Sequence, residues 1–260
     1  MPPISELHLD RQRAESFGSA AEDYDRYRPG FPDALIDDVA ALRATHALDV
    51  GCGTGRVARL LTARAIDVLG VELDPRMAAV ARAHGVRVEV ARFEEWDDGG
   101  RRFDLVASGD TWHWIDPKRG AAKAALVLRP GGALVRFWNL QLLDEPVMEA
   151  LDPVYRAHAP EVYVYGRAPT SWPDGSALKY ADPIPLEGPF VAIEAKKYVW
   201  ERRVTGADWA AFAGTISDHK RLPGERLASL KTAIRETIER FGETILVRIE
   251  TMATFSRREG

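Results

Sequence analysis

Asp49, Gly51, Gly53, Gly55 and Glu72 are the residues of this 260-residue chain whose types and spacing could do chemistry. They fall within "LDVGCGTGRVARLL" (48–61) and at the end of "IDVLGVEL" (66–73). Three glycines in five positions cost conformational entropy on folding, so something must approach the backbone closely or the chain must turn through positive φ. A phosphate, a nucleotide-like cofactor and a bare strand-to-helix crossover all stay open at this point. A dinucleotide fingerprint needs G-x-G-x-x-G; here the spacing is G-x-G-x-G, with Arg56 and Val57 where the third glycine could fall. Asp49, two residues before the first glycine, suits a neighbouring ammonium or sulfonium and would sit badly beside a pyrophosphate. Glu72 is placed at a strand end, where a carboxylate accepts hydrogen bonds from the vicinal hydroxyls of a ribose. Glycines, anion and ribose acceptor together describe a nucleoside that carries a cation and no phosphates.

A second group lies in "TWHWID" (111–116). Trp112 and Trp114 either anchor the loop by packing or face a substrate. His113 is either a satisfied core histidine or a polar group offered to the substrate, where it could act as a base. His158 and His219 read as bystanders. The single cysteine, Cys52, reads as a small filler; it allows no intramolecular disulfide and no cysteine-cluster metal site. Trp138, Tyr155, Tyr163, Tyr165, Trp172 and Tyr180 form a pocket, a small core of their own, or both. Arg136, Arg156 and Arg167 could hold an anionic substrate.

The elements that must position these groups alternate. "PDALIDDVAAL" reads as a helix with acids near its start, "HALDV" as a buried strand, and "GRVARLLTARA" as a helix. "IDVLGVEL" is a second strand, followed by a helix begun by Asp74 with Pro75 in its first turn. "VRVEVARF" and "FDLVASG" continue the series, and "RPGG" turns into a fifth strand, "ALVRFWN". This repetition predicts a parallel sheet with helices on both faces. From Leu140 the proline-rich stretch to 189 reads as an irregular cap inserted after the fifth strand. The sheet resumes at "FVAIEAKKYVW" (190–200) and closes with "TILVRIETMATFSRR", a last strand expected to run antiparallel. The expected division is therefore a lid and core over 1–139, a cap over 140–189 and completion of the same sheet over 190–260.

Composition narrows the function. The chain is 46% hydrophobic and 28% charged, with a net charge of -4, which gives no basic footprint for nucleic acid. No run approaches the length of a membrane span, and the first 30 residues have no signal-peptide core. A cytoplasmic protein without membrane or nucleic-acid partners is expected.

The motifs resemble those of the class I S-adenosylmethionine-dependent methyltransferases: "LDVGCGTG" (48–55), "VLGVELDPRM" (68–77), "VARFEEW" (90–96), "FDLVASGDTWHWID" (103–116) and "LRPGGAL" (128–134). "SFG…YDRYRPGFP" followed by "WHWID" is similar to the branch of trans-aconitate-type and related small-molecule methyltransferases. The resemblance implies a Rossmann-like α/β fold with a seven-stranded, mostly parallel sheet. It also implies S-adenosylmethionine as cofactor, S-adenosylhomocysteine as product and no metal. Gly51, Gly53 and the backbone near Cys52 would line the methionine part, with Asp49 near its amino group. Glu72 would hold the ribose, Leu73 and Met77 would flank the adenine, and Phe93 and Glu94 would border its edge. Tyr24 and Arg28 would close over the methionine carboxylate, with Ser108 and Gly109 beneath the sulfonium. Asp110, Trp112, His113, Trp114 and Trp138 would face the acceptor. Glutamate at position 72 departs from the family's commoner aspartate by one methylene. The expected reaction is direct in-line methyl transfer to a small molecule, with O-methylation of a small carboxylic acid preferred. Transfer to nitrogen, sulfur or carbon of a secondary metabolite stays open, as does a binding protein without transfer activity. The chain is expected to be a monomer or a homodimer.

Overall fold

A computed structural model describes all residues except 1–3, 11, 12, 14, 15, 168–185 and 187. Among the described residues seven strands form one sheet: β1 (His46–Val50), β2 (Asp67–Glu72), β3 (Arg87–Val90), β4 (Phe103–Gly109), β5 (Leu128–Leu142), β6 (Phe190–Val204) and β7 (Ile245–Arg258). Their order is β3-β2-β1-β4-β5-β7-β6. The first five strands run parallel, and β7 is antiparallel to both β5 and β6. The mostly parallel sheet with an antiparallel last strand is therefore as expected. The order reverses beside β1, and ligands of open α/β sheets bind at such a reversal, outside the strands' carboxyl ends.

The central strands β1 and β4 and the middle of β5 are buried on both faces and read as near-continuous apolar runs, whereas β7 alternates and the edge strand β6 is largely exposed. Ala47 packs with Leu35, Ile36 and Val39 of α2 (Asp33–Ala40) and Val57, Ala58 and Leu61 of α3 (Arg56–Thr62). Its neighbours Leu48 and Val50 point the other way, to Phe93, Trp112 and Ala124. Each fully buried side chain of this size contributes about 1.5–3 kcal/mol. The predicted helix starts are present. Asp74 accepts the N–H of Arg76 at the head of α4 (Pro75–Ala83), and Asp116 accepts those of Lys118 and Arg119 at the head of α5 (Pro117–Val127). α1 (Ala21–Tyr27) precedes them all.

Part of the stretch expected to be irregular is regular. β5 continues through Leu142, and residues Glu145–His158 form a helix, α6, with Pro146 in its first turn and Pro153 inside it. Val147, Met148, Leu151 and Tyr155 form its buried face. They share one core with Trp209 and Phe212 of α7 (Gly206–Ala213), Leu230, Ile234 and Ile238 of α8 (Gly224–Glu239), and Val247 and Ile249 of β7. Three prolines within fifteen residues masked a helical period that this core enforces. Trp172 and Tyr180, counted among the candidate pocket aromatics, lie outside the described residues.

Candidate functional site

The glycine loop leaves β1 at its carboxyl end. Gly51 has φ +63° and donates its N–H to the Val71 carbonyl at 2.8 Å. A Cβ on Gly51 would lie 2.0 Å from Cγ2 of Thr111, so only glycine lets the segment after β4 cross here. Gly53 (φ +55°) differs, because its missing side chain would meet only the Met77 methyl, at 3.4 Å. One glycine thus admits the protein's own chain, and the other leaves a backbone N–H uncovered by any side chain of its own beside a hollow. That N–H donates to Oε2 of Glu72 at 2.8 Å, while Oε1 of Glu72 accepts the Asp74 N–H at 2.9 Å. Burial raises the pKa of Glu72, and the backbone N–H groups partly offset the rise.

Two adjoining hollows flank the loop. The first is lined by Glu72, Leu73, Met77, Phe93 and Glu94, all expected there, together with Gly51, Gly53, Tyr24, Asp110 and Trp114. Phe17, Val71, Ala91, Arg92, Thr111 and Ile115 complete it and had not been singled out. The second is lined by Tyr24, Arg28, Gly51, Cys52, Gly53, Gly109 and Asp110.

Asp49 and Ser108 line neither hollow. Asp49 is turned beneath the loop, where Oδ2 accepts the Ala58 N–H at 3.0 Å and Oδ1 has no partner among the described residues. Burial pushes its pKa up to about 7 against the pull of that N–H. Ser108 is fully buried and donates to the Val50 carbonyl, tying β4 to β1. Both residues support the hollows from below, so a direct contact role for either is corrected to a structural one. The Cys52 side chain likewise packs away from the ligand side, over Gly70 and against Ala78, Ala81 and Val88.

After β4, the short turn Trp112–Trp114 gives its three residues three different fates. Trp112 is wholly buried, with the Arg136 guanidinium 5.6 Å from its ring, so it does not face a substrate as expected. Trp114 faces the first hollow, edge-on to Phe17 at 5.7 Å. His113 lies between them, and its Nδ1 accepts a hydrogen bond from Nε1 of Trp138 at 3.3 Å. An indole N–H only donates, so the imidazole proton belongs on Nε2. Loss of hydration, with Arg13 and Arg28 nearby, pushes the pKa of His113 down to about 3. Trp138 therefore orients His113 and lines neither hollow. Asp110 holds φ +53°, and its Oδ1 accepts the Asn139 N–H at 2.9 Å. Burial raises its pKa, with Arg28 and Arg56 opposing.

Asn139 joins distant parts of the chain. Its side chain donates to the Gly30 carbonyl at 2.9 Å and accepts from the Thr251 hydroxyl at 2.6 Å. The N-terminal segment is further pressed down at Gly18, where a Cβ would fall 2.1 Å from the Asp74 carboxylate. Arg28 bonds Thr215 twice, at 2.9 Å each, and stacks over Tyr24 and Phe212. Of the other arginines considered, Arg156 is exposed, and Arg167 is engaged by Glu145 and Asp152 away from both hollows. His219 is buried against the Tyr155 hydroxyl at 2.8 Å, and His158 bonds Ser229.

These features test whether an adenosyl sulfonium fits. A carboxylate stands at the end of β2, beside an apolar slot of Leu73, Met77 and Phe93. The Gly53 N–H, paired with Glu72, and the Asp49 carboxyl beneath the loop give it a polar floor. The donor set suits a ribose and a cation.

The strand order and a hollow at the end of β1 define the class I methyltransferase fold. Residues 48–136 match the family model described as a methyltransferase domain. An uncharacterised methyltransferase of Mycobacterium tuberculosis is 39% identical over 132 residues, covering 50% of this chain and 54% of the relative. A malonyl-acyl-carrier-protein O-methyltransferase of Enterobacter lignolyticus is 32% identical over 143 residues, covering 52% and 54%. The chain thus spans about half the length of the curated relatives it matches. The solved structure of a protein from Anaeromyxobacter dehalogenans, proposed there to be a type II methyltransferase, superposes with a TM-score of 0.65. It is 23% identical, and the match covers 89% of this chain and 98% of that one; at this identity the likeness speaks for the fold.

Proposed function

We propose that this chain is an S-adenosylmethionine-dependent methyltransferase that methylates an oxygen of a small carboxylic acid. Glu72 holds the ribose, Leu73, Met77 and Phe93 enclose the adenine with Glu94 at its edge, and Tyr24, Arg28 and the loop backbone hold the methionine end. When bound, the cofactor supplies a methyl group already activated by a positive sulfur. The chain's own task is then to place an acceptor oxygen in line and exclude water, and orientation of this kind is worth about 7–11 kcal/mol in favourable systems.

The observation that carries the acceptor class is the state of His113. A general base works best with a pKa near the operating pH, and this imidazole is held neutral with its Nδ1 already occupied by Trp138. A carboxylate needs no base, and Arg28, which lines the second hollow and bonds the uncharged Thr215 hydroxyl and carbonyl, favours an anion close by. The relative named for malonyl-acyl-carrier protein is an O-methyltransferase, which supports the same acceptor atom.

The test is calorimetric titration of S-adenosylhomocysteine into the wild type and a Glu72→Ala variant, followed by a screen of small carboxylic acids. Micromolar binding that the variant weakens at least about thirtyfold is expected, because two charge-assisted hydrogen bonds to the ribose are lost. A folded wild type that does not bind would overturn the reading.

A further inference from the structure

We propose that the turn after α7, Thr215 to Lys220, is a latch that positions the N-terminal segment over the cofactor hollow, with Lys220 as its main positioning residue. This rests on the cofactor reading above. Four residues of the turn grip that segment. Thr215 takes two hydrogen bonds from Arg28, and the Ser217 hydroxyl accepts from Nε of Arg13 at 2.8 Å. Asp218 pairs with Nη2 of Arg13 at 2.9 Å. Lys220 donates to the Ser16 carbonyl at 2.6 Å and to the Ser19 hydroxyl at 2.8 Å, with the Phe17 carbonyl at 3.5 Å.

The match at Lys220 is one of valence. An ammonium has three donors and no acceptor, and the short turn at 16–19 offers it three oxygens. The Ser16 carbonyl also accepts the N–H and hydroxyl of Ser19, at 3.4 and 2.9 Å, so Lys220 clamps a turn closed on itself and fixes the segment that carries Phe17. Phe17 lines the first hollow, 5.9 Å from Tyr24 and 5.7 Å from Trp114. Arg13 completes the grip from the same side, its guanidinium 5.6 Å from the Trp114 ring. Lys220 lines neither hollow and acts through Phe17 and its neighbours. On the opposite side the segment rests on Asp74 at Gly18, so it is held between two surfaces, one from each half of the chain.

Two readouts on Lys220→Met and Lys220→Arg test the latch. Backbone amide exchange over residues 16–27 of the cofactor-free protein is expected to quicken about tenfold in Lys220→Met, with β1 and β7 unchanged. The dissociation constant for S-adenosylhomocysteine is expected to rise about tenfold, the scale of one lost charge-assisted hydrogen bond. Lys220→Arg, which keeps the charge and the donors, should stay near wild type in both. Unchanged exchange over 16–27, or equal quickening in β1 and β7, overturns the latch. Quickened exchange with unaltered affinity also overturns it, because the turn would then not position the cofactor site. Should the wild type bind no S-adenosylhomocysteine, the cofactor reading fails and with it the positioning role, while amide exchange still decides whether Lys220 holds the segment.

Discussion

Between Leu48 and Arg136, the hollows are shaped by a glycine loop and by side chains at consecutive strand ends. Beyond Leu140, the residues that bear on them do so through single side-chain contacts with segments roughly 200 positions away, as Thr215 and Lys220 do. The first arrangement tolerates little change because glycine is required where chains cross. The second can vary residue by residue while the loop stays intact. One fold can in this way keep a cofactor and exchange its acceptors.

Three measurements would break or sharpen that contrast. The largest effect is expected at Asp49, whose carboxyl is buried in the rigid half. Its folded pKa is raised, so the stability it permits is full below its ordinary value near 3.8 and is lost as pH rises towards about 7. Relative to Asp49→Asn, the wild type should lose up to about 4 kcal/mol across that window, read by urea unfolding at a series of pH values. A constant difference between the two would mean that the carboxyl is not enclosed as described.

Next is Gly51→Ala. The added methyl would overlap Thr111 at a backbone angle unfavourable to alanine, and strain of this kind costs about 1–3 kcal/mol. Affinity for S-adenosylhomocysteine should fall about a hundredfold, with near-ultraviolet circular dichroism confirming a folded variant. Binding at wild-type strength would show that the loop yields, and the contrast between the halves would collapse.

The smallest effect is expected at His113. Its pKa of about 3 leaves it neutral from pH 5 to 8, so His113 should add no limb to kcat/KM there. His113→Gln should cost less than tenfold, short of the roughly 100-fold or more of a lost general base. A wild-type limb near pH 6.5 that vanishes in the variant would make His113 the base after all.

Much of the first half was legible because its signals are local. Asp74 and Asp116 each stand directly before a proline and cap the helix it opens, and Glu72 ends its strand where a ribose acceptor belongs. The sequence was mute where rotation decides. Trp112 and Trp114 are two residues apart, yet a single helical turn buries one in the core and gives the other to the hollow. Asp49 was assigned to the ligand because a carboxylate two residues before the loop suits a cation, but strand alternation turns its carboxyl beneath the loop. Phe17 and Arg92 stand inside the motifs but were given no role; only the fold of the N-terminal segment and the end of β3 bring them to the hollow. Helix α6 was hidden by its prolines, and only the core it shares with α7, α8 and β7 reveals it.

The place of β7 has a consequence for synthesis. It is the last strand of the sheet to leave the ribosome, yet it must enter between β5 and β6. Until it does, the outer edge of β5 from Ala133 to Leu142 has no neighbour, and Asn139 waits for Thr251. The anchor that ties Gly30 to the sheet is thus among the last features to be completed. A nascent chain stalled before Ile245 would expose two unpaired strand edges, a recruiting ground for other chains and for chaperones.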